Sequence, residues 1–577
     1  MNRGISCPSG RSVYRRVRIA VSAAVFLLYS ASFALTGAFA VSLAGLLPKA
    51  QFFPSLLRAI AEAGVGALGA SAAIAAATLA LTLLCGRVYC ACLCPLGAVQ
   101  DGLIRIGAAL RKNLRHIARR GPAGAPHSRR GRAPWLARVE GGGAAFHAAA
   151  FILASGAALA GSTFLLGLLE PFSAFGKMGA GLLRPAFDLA HDAAAALSRS
   201  SGSYAVAFVP VSWTWARGAA GAAVLLIVGF MSLSLGRLFC NSLCPAGALL
   251  RLASLRPLFG LRLDSGKCNG CGLCERVCRA SCIRPGGGGV VENRCVRCFD
   301  CLAACPGGAI RYGLGRPAAG GASASEAKTG AGPGLSRGRF LRLGAAAAVG
   351  IAGAGLLGAT SRYRSPSVLM NGQKRQPSAP PGAGSVGRFL GACTACGTCV
   401  AVCPSGVLRP AEFQWGILDP AKPYLAYDRA YCQFECDRCL RSCPTGALRQ
   451  MPLEEKKLTR LGQSVLALDR CIVVTKGTRC GACAEHCPTG AVSMAVPAGG
   501  RLPQPVTDST LCIGCGACET VCPVEGSKAI HVEGRGVQDR ARFLQRRPGD
   551  NGDIQGTAAS GGRNAGPAAG GKEGFPF

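Results

Sequence analysis

Six runs of four closely spaced cysteines constrain this chain more than any other feature. They are Cys268, Cys271, Cys274 and Cys278; Cys295, Cys298, Cys301 and Cys305; Cys393, Cys396, Cys399 and Cys403; Cys432, Cys436, Cys439 and Cys443; Cys471, Cys480, Cys483 and Cys487; and Cys512, Cys515, Cys518 and Cys522. Every run but the first ends in Cys-Pro, Cys278 being followed by Arg279. A disulfide framework belongs to small secreted chains, whereas two- and three-residue gaps are ligand spacing. Three thiols at this spacing wrap one iron–sulfur cube, and the fourth reaches across to the neighbouring cube.

The spacing therefore predicts six crossed ligand sets. Cys268, Cys271 and Cys274 combine with Cys305, and Cys295, Cys298 and Cys301 with Cys278. Cys393, Cys396 and Cys399 combine with Cys443, and Cys432, Cys436 and Cys439 with Cys403. Cys471, Cys480 and Cys483 combine with Cys522, and Cys512, Cys515 and Cys518 with Cys487. Six [4Fe–4S] clusters account for 24 of the 32 cysteines. Two runs are irregular: Cys432–Cys436 carries an extra residue and Cys471–Cys480 a longer loop, so in both the first ligand comes from farther away. Each pair of runs reads as an α+β bacterial two-cluster ferredoxin-like module, three in all, at 263–315, 388–453 and 454–535. Short apolar stretches at 445–448 and 489–495 suit their small strands. No Cys-x-x-Cys-His occurs, which removes c-type haem.

The N-terminal part is of another kind. Half of the chain is hydrophobic, charged residues make up 16%, and the mean hydropathy is +0.32, yet the net charge is +36. That combination fits membrane spans flanked by basic loops. Four apolar stretches, 19–47, 66–84, 144–169 and 219–235, approach the ~20 residues that a helix needs to cross a bilayer. The reading is an α-helical membrane part of four to five transmembrane helices, four of them forming a domain over 1–262. Arg11, Arg15, Arg16 and Arg18 precede the first stretch, and the loop from Arg105 to Arg138 carries ten basic residues, which places both in the cytoplasm. The loop 170–217 then faces the periplasm, with an amphipathic helix near 184–197 that has Asp188, His191 and Asp192 on its polar side. Nucleic-acid binding is excluded as a reading, because the arginines gather in one loop without an aromatic-studded basic platform. A linker at 316–387 contains a weakly apolar fifth segment at 343–359, and the Gly-rich tail 536–577 reads as disordered.

One repeat stands out. Gly86-Arg87-Val88-Tyr89-Cys90 through Cys94-Pro95-Leu96-Gly97-Ala98 returns as Gly236-Arg237-Leu238-Phe239-Cys240 through Cys244-Pro245-Ala246-Gly247-Ala248. The membrane part is thus a duplicated two-helix unit. Under a pseudo-two-fold, Cys90, Cys94, Cys240 and Cys244 converge on one four-thiolate metal site; a redox dithiol or mere shaping of helix ends are the alternatives. Cys7, Cys85, Cys92 and Cys282 read as incidental small hydrophobes. His147 alone lies near a span, against a bis-His haem, and His486 reads as a neighbour of a cluster. Glu170, at the periplasmic end of the third stretch, is the candidate proton acceptor for quinol chemistry.

These motifs resemble two known families. Residues 1–315, with four spans, two Gly-Arg-x-[Tyr/Phe]-Cys-x-x-x-Cys-Pro-x-Gly-Ala motifs and a two-cluster ferredoxin, resemble the NapH-type membrane quinol dehydrogenase ferredoxins. Residues 336–535 resemble the MauM/NapG family of exported polyferredoxins, through an Arg-rich start, Phe389-Leu390-Gly391-Ala392-Cys393 and Cys512-Ile513-Gly514-Cys515-Gly516-Ala517-Cys518. The order suggests a natural fusion. The resemblance implies a multi-pass protein of the bacterial inner membrane that takes electrons from the lipid-dissolved quinone pool. Its periplasmic C-terminal ferredoxins would deliver them to a reductase or cytochrome. It also marks a departure: where the family has twin arginines in its export signal, this chain reads Arg337-Gly338-Arg339. Two alternatives stay open, an electron relay wholly on the cytoplasmic side and a metalloenzyme assembly or redox-sensing factor.

Overall fold

The computed structural model describes residues 9–35, 38–63, 69–118, 134–203, 215–283, 289–314, 368–370, 373–416 and 419–542. The signal-like start at 336–342 and the fifth apolar segment, 343–359, lie outside the described residues.

Four helices, Ser9–Ala34, Ala70–Cys85, Pro134–Leu159 and Trp215–Leu235, run between two ends of an aromatic-rich bundle. Leu226 and Phe230 on the last of them, like Leu27 and Leu83 on the first two, point outward and stay more than half exposed. Buried Phe33, Phe172 and Phe175 fill the inside. An apolar belt facing outward around an aromatic interior is the inverse of a soluble helix pair. Among the described residues two helices, Val13–Ala34 and Arg217–Leu235, are long and apolar enough to cross a membrane, and Ala70–Cys85 and Phe146–Leu159 are shorter. The expected stretch 144–169 is not one helix. It breaks after Leu159, where Gly161 takes φ 95°, and resumes as Phe164–Leu169. The expected stretch 19–47 likewise divides into Ser9–Ala34 and Ala38–Leu46.

Past this break the chain dips through helix Pro171–Met178, a single π-turn at Gly179–Leu183 and helix Arg184–Ser200, the amphipathic helix expected near 184–197. Asp188 there is buried and paired to Arg184 at 2.7 Å.

The first ferredoxin block closes on an antiparallel pair, Phe259–Leu263 with Ile310–Leu314, in the register Phe259↔Leu314 to Leu263↔Ile310. Its first strand begins before residue 263, so the block takes in the last residues of the expected membrane domain. The second and third blocks are held by Leu408–Pro410 with Pro423–Leu425, Gly462–Leu466 with Ile530–Gly534, and Val492–Ala495 with Gln504–Thr507. The stretch 489–495 thus supplies a strand. The stretch 445–448 is a bend in which Leu448 N–H donates to Cys443 Sγ at 3.3 Å.

Two segments read from sequence as linker and tail are parts of the fold. Residues 373–385 lie across both C-terminal blocks: Leu425 N donates to Ser378 O, Gly534 N to Gln376 O, and buried Arg375 pairs with buried Glu519 at 2.6 Å. Residues 536–542 follow alongside, with bridges Ser385↔Val537 and Thr459↔Arg540. Their low complexity concealed this, because the ordering comes from backbone pairing and one buried ion pair.

Candidate metal centres

Among the described residues the cysteines of five of the crossed sets lie together, and of the sixth Cys471, Cys480 and Cys483 are neighbours. Cys268, Cys271, Cys274 and Cys305 line one small cavity, and Cys278, Cys295, Cys298 and Cys301 line another. Cys403, Cys432, Cys436 and Cys439 line a third. Cys399 lies in electrostatic range of Cys393, Cys396 and Cys443, and Cys518 in range of Cys512, Cys515 and Cys487. Cys483 has Cys480 and Cys471 beside it. Backbone N–H groups already point at several sulfurs: Ala309 at Cys305, Cys282 at Cys278 and Leu448 at Cys443, each at 3.3 Å. Such donors stabilise a thiolate more than a thiol, so the donor sets fit iron–sulfur clusters.

In the regular runs the residues flanking the middle cysteine turn left-handed. These are Gly270 and Gly272, Arg297 and Phe299, Ala395 and Gly397, and Gly514 and Gly516, all with φ between 55° and 84°. The turn aims three successive thiols inward, and the Gly-Cys-Gly spelling at two of the runs was its sequence signal. The irregular runs lack it: Gly481 takes φ −133° and Asp437 φ −125°.

Cys282, read as incidental, shares the second cavity; its sulfur lies 3.5 Å from that of Cys278. Five thiols therefore surround this site.

The duplicated motifs form a reciprocal clasp. Arg87 Nη2 donates to Cys240 O at 2.9 Å, and Arg237 Nη1 donates to Cys90 O at 2.8 Å, so each copy's arginine holds the other copy's first cysteine. A methyl group on Gly97 would overlap Cys90 O and press on Arg237; one on Gly247 would overlap Cys240 O and press on Arg87. This explains the Gly in both copies of Cys-Pro-x-Gly-Ala. Buried Cys90, Cys94, Cys240 and Cys244 come into mutual electrostatic range. Gly247 N donates to Cys244 Sγ at 3.2 Å, and His147 Nε2 meets Cys244 O at 2.8 Å, which makes His147 a support for the loop.

Asp101, buried on helix Pro95–Ala118, ties this clasp to the first ferredoxin block. It pairs with Arg237 Nη2 at 2.7 Å, with Arg279 Nη1 at 2.6 Å and with Arg18. Burial works against its ionisation, but the three guanidiniums outweigh that and hold the carboxyl well below the usual range. Arg279 and Arg15 continue the chain to Asp300 at 2.7 and 3.0 Å. Arg297, between two cysteines of the first block, reaches Cys85 O at 3.1 Å and so caps the end of helix Ala70–Cys85 with a cation.

The second block sits on the other end of the bundle. Thr163 Oγ1 donates to Cys393 O at 2.7 Å, Ser173 meets Thr394 at 2.9 Å, and Arg184 Nη1 donates to Ala401 O at 3.0 Å. Gly167 and Gly176 allow the backbones to touch, since a Cβ on either would overlap Thr394 O or Cys396 O. Helix Ser9–Ala34 measures the separation: Arg15 meets the first block and Phe33 meets Gly179 beneath the second. Eighteen residues at 1.5 Å each give about 27 Å.

Between the ends, Tyr89 OH donates to Gln51 Oε1 at 2.6 Å and receives Phe52 N–H at 3.2 Å, while Tyr29 packs edge-on against Phe172 and Phe175. Glu170 is fully buried and caps helix Pro171–Met178, its two oxygens accepting from Phe172 N and Ser173 N. Burial pushes its carboxyl upward against these hydrogen bonds. Its place in the structure is to hold the segment under Cys396.

Residues 392–447 and 470–526 match a family described as a 4Fe-4S dicluster domain. Residues 265–281, and separately 68–115 with 217–262, match families described as 4Fe-4S binding domains. The chain is 36% identical over 162 residues to the methylamine utilization ferredoxin-type protein MauM of Paracoccus denitrificans, covering 26% of this chain and 69% of that protein. To MauM of Methylobacillus flagellatus it is 35% identical, covering 26% of this chain and 66% of the relative, just under two thirds. To the ferredoxin-type protein NapG of Escherichia coli it is 33% identical over 206 residues, covering 33% of this chain and 84% of that protein. The chain belongs to the MauM/NapG family of ferredoxin-type proteins. It is an iron–sulfur electron-transfer protein of that family, with a long helical part in addition. No solved structure matches it.

Proposed function

We propose that the chain is a membrane-bound relay that moves electrons from the quinol pool to a periplasmic reductase or cytochrome. In this reading it joins a NapH-type membrane part to a NapG-type polyferredoxin. The observation that carries it is the seating of two ferredoxin blocks on opposite ends of the same helices, about 27 Å apart by helix rise, close to the ~30 Å of a bilayer's hydrocarbon core. The apolar outward faces of those helices meet lipid, and the basic first end lies in the cytoplasm.

Six crossed cysteine sets hold six [4Fe–4S] clusters, each able to take up and release one electron. Cys90, Cys94, Cys240 and Cys244 hold a further thiolate-bound metal site beneath the first block. The reciprocal arginines stabilise its thiolates, and the Tyr89, Gln51 and Tyr29 cluster fills the space toward Cys396 and excludes water there.

Protease treatment of right-side-out and inverted vesicles, probed with an epitope after residue 542, tests the orientation. Cleavage only from the periplasmic side is expected. Protection there with cleavage from the cytoplasmic side would sink outward delivery and leave a relay on the cytoplasmic side.

A further inference from the structure

The helical bundle and the second ferredoxin block enclose, where they meet, a cavity of about 400 Å³. Its lining is almost wholly apolar: Ala180 and Ala220 from the bundle, Ala395, Val400 and Phe413 from the ferredoxin. Two cationic residues, Lys177 and Arg217, interrupt it, both on the bundle side, and Glu412 is the one acid in the lining. We propose that this cavity binds the headgroup of a quinol. The inference rests on the quinol-oxidising reading above and gives that reaction its place.

Four observations converge. The volume and the apolar lining with a few polar groups suit a small planar ligand. Arg217 begins the apolar helix Arg217–Leu235, so the cavity lies at the level where that helix leaves the bilayer, and a polyprenyl tail could trail past exposed Ile227, two turns beyond the lining residue Ala220. Ala395 and Gly397 line the cavity and flank Cys396, which puts a ring bound there against the loop that holds the nearest cluster. Lys177 is fixed by donation from Nζ to Gly167 O at 2.6 Å, so a cation stands on the wall without freedom to leave it. A cation beside an oxygen that is losing its proton stabilises the charge that develops there.

The step balances within the named parts. The quinol loses two electrons and two protons to become the quinone. The electrons pass singly to the cluster held by Cys393, Cys396, Cys399 and Cys443 and onward through the other C-terminal clusters. The protons leave through the Glu412 side, which opens to solvent.

The same cations could instead hold a phospholipid phosphate, and the test separates the two. The purified full-length protein in nanodiscs of phosphatidylcholine alone, and of phosphatidylcholine with phosphatidylglycerol, is titrated with 2-heptyl-4-hydroxyquinoline N-oxide. Quenching of its fluorescence reports binding. Ala220→Phe fills the cavity from the helix side and Lys177→Gln removes the cation. Each is expected to weaken binding at least tenfold in both lipids, with the dithionite-bleachable cluster absorbance unchanged. Should Ala220→Phe lose that absorbance, Lys177→Gln decides alone. Wild-type binding that neither variant weakens would overturn this site and leave the quinol reading standing. A wild type that binds nothing in either lipid overturns both. An effect of Lys177→Gln confined to the phosphatidylglycerol discs makes the cavity a lipid site and overturns the inference.

Discussion

Replacing Asp101 with Asn tests whether one carboxylate locks the first ferredoxin block to the helices. The side chain is 5% exposed and faces Arg18, Arg237 and Arg279. Asn keeps the shape and removes the charge, so three guanidiniums lose their shared counter-ion. A pair of unit charges 4 Å apart is worth ~4 kcal/mol at an effective dielectric of 20, and removing one partner of a buried pair costs about 3–5 kcal/mol. The desolvation cost of the buried carboxylate disappears with its charge, which offsets part of the lost attraction to three guanidiniums and keeps the expected loss near that range. At about 2–4 °C per kcal/mol, thermal loss of the first block's cluster absorbance should begin roughly 6–20 °C lower. The sign with pH follows from the depressed carboxyl. Its contribution is fully present above the unfolded value near 4 and fades only as pH falls below that. The gap between variant and wild type should therefore be constant from about pH 5 to 8. A shift of under 2 °C at pH 7, or a gap that shrinks between pH 8 and 5, refutes the assignment to this carboxylate.

Ser replacement of Cys90 or Cys244 should lower the iron content per chain, while dithionite still bleaches the ferredoxin absorbance; unchanged iron content would leave these thiols as helix-end packing. Gly176→Ala, which would overlap Cys396 O, should cost about 1–3 kcal/mol of overpacking. It should also expose the 171–183 face of the bundle to hydrogen exchange, and exchange identical to wild type would remove the close approach from the docking argument. Cys278→Ser should retain its cluster with a changed electron paramagnetic resonance signal, because the Cys282 sulfur stands 3.5 Å away as a replacement ligand. The double variant should lose the cluster, and loss already in Cys278→Ser would show that Cys282 cannot substitute.

What was legible in the sequence was local. Ligand spacing placed the crossed sets, because three thiols within seven residues leave the loop little choice once one centre is shared. The repeat signalled a clasp, though the partners of Arg87 and Arg237 lie some 150 residues away and only the folded chain names them. The break at Gly161 was hidden because Ala144–Leu169 stays apolar throughout, and hydropathy does not see a single residue with positive φ. Glu170 looked like a free acid at a span's end; its sequence context, Glu-Pro-Phe-Ser, is equally an N-cap with proline at the first helical position, and that is how it folds. The cavity was illegible for a deeper reason. Lys177, Arg217 and Ala395 come from three distant segments and share no spacing.

The two copies of the motif are alike in shape and unlike in charge. Arg87 is held by Asn241 Oδ1 at 2.6 Å, by backbone carbonyls and by Cys90 Sγ at 3.8 Å, whereas Arg237 has the carboxylate of Asp101. The counterpart of Asp101 in the second copy is Arg251, and that of Asn241 in the first is Ala91. Shape symmetry is what brings four thiols together, since each arginine must reach across to the other copy's cysteine. Charge asymmetry serves a different end: ion pairs extend from one side of the clasp, through Asp101 and Arg279 to Asp300, into the first ferredoxin block, which the other side meets through Asn241 Nδ2 donating to Arg294 O at 3.3 Å. A duplicated unit that kept its carbonyl contacts and varied its acid could thus keep a symmetric pair of loops and still tie its ferredoxin by ion pairs on one side alone.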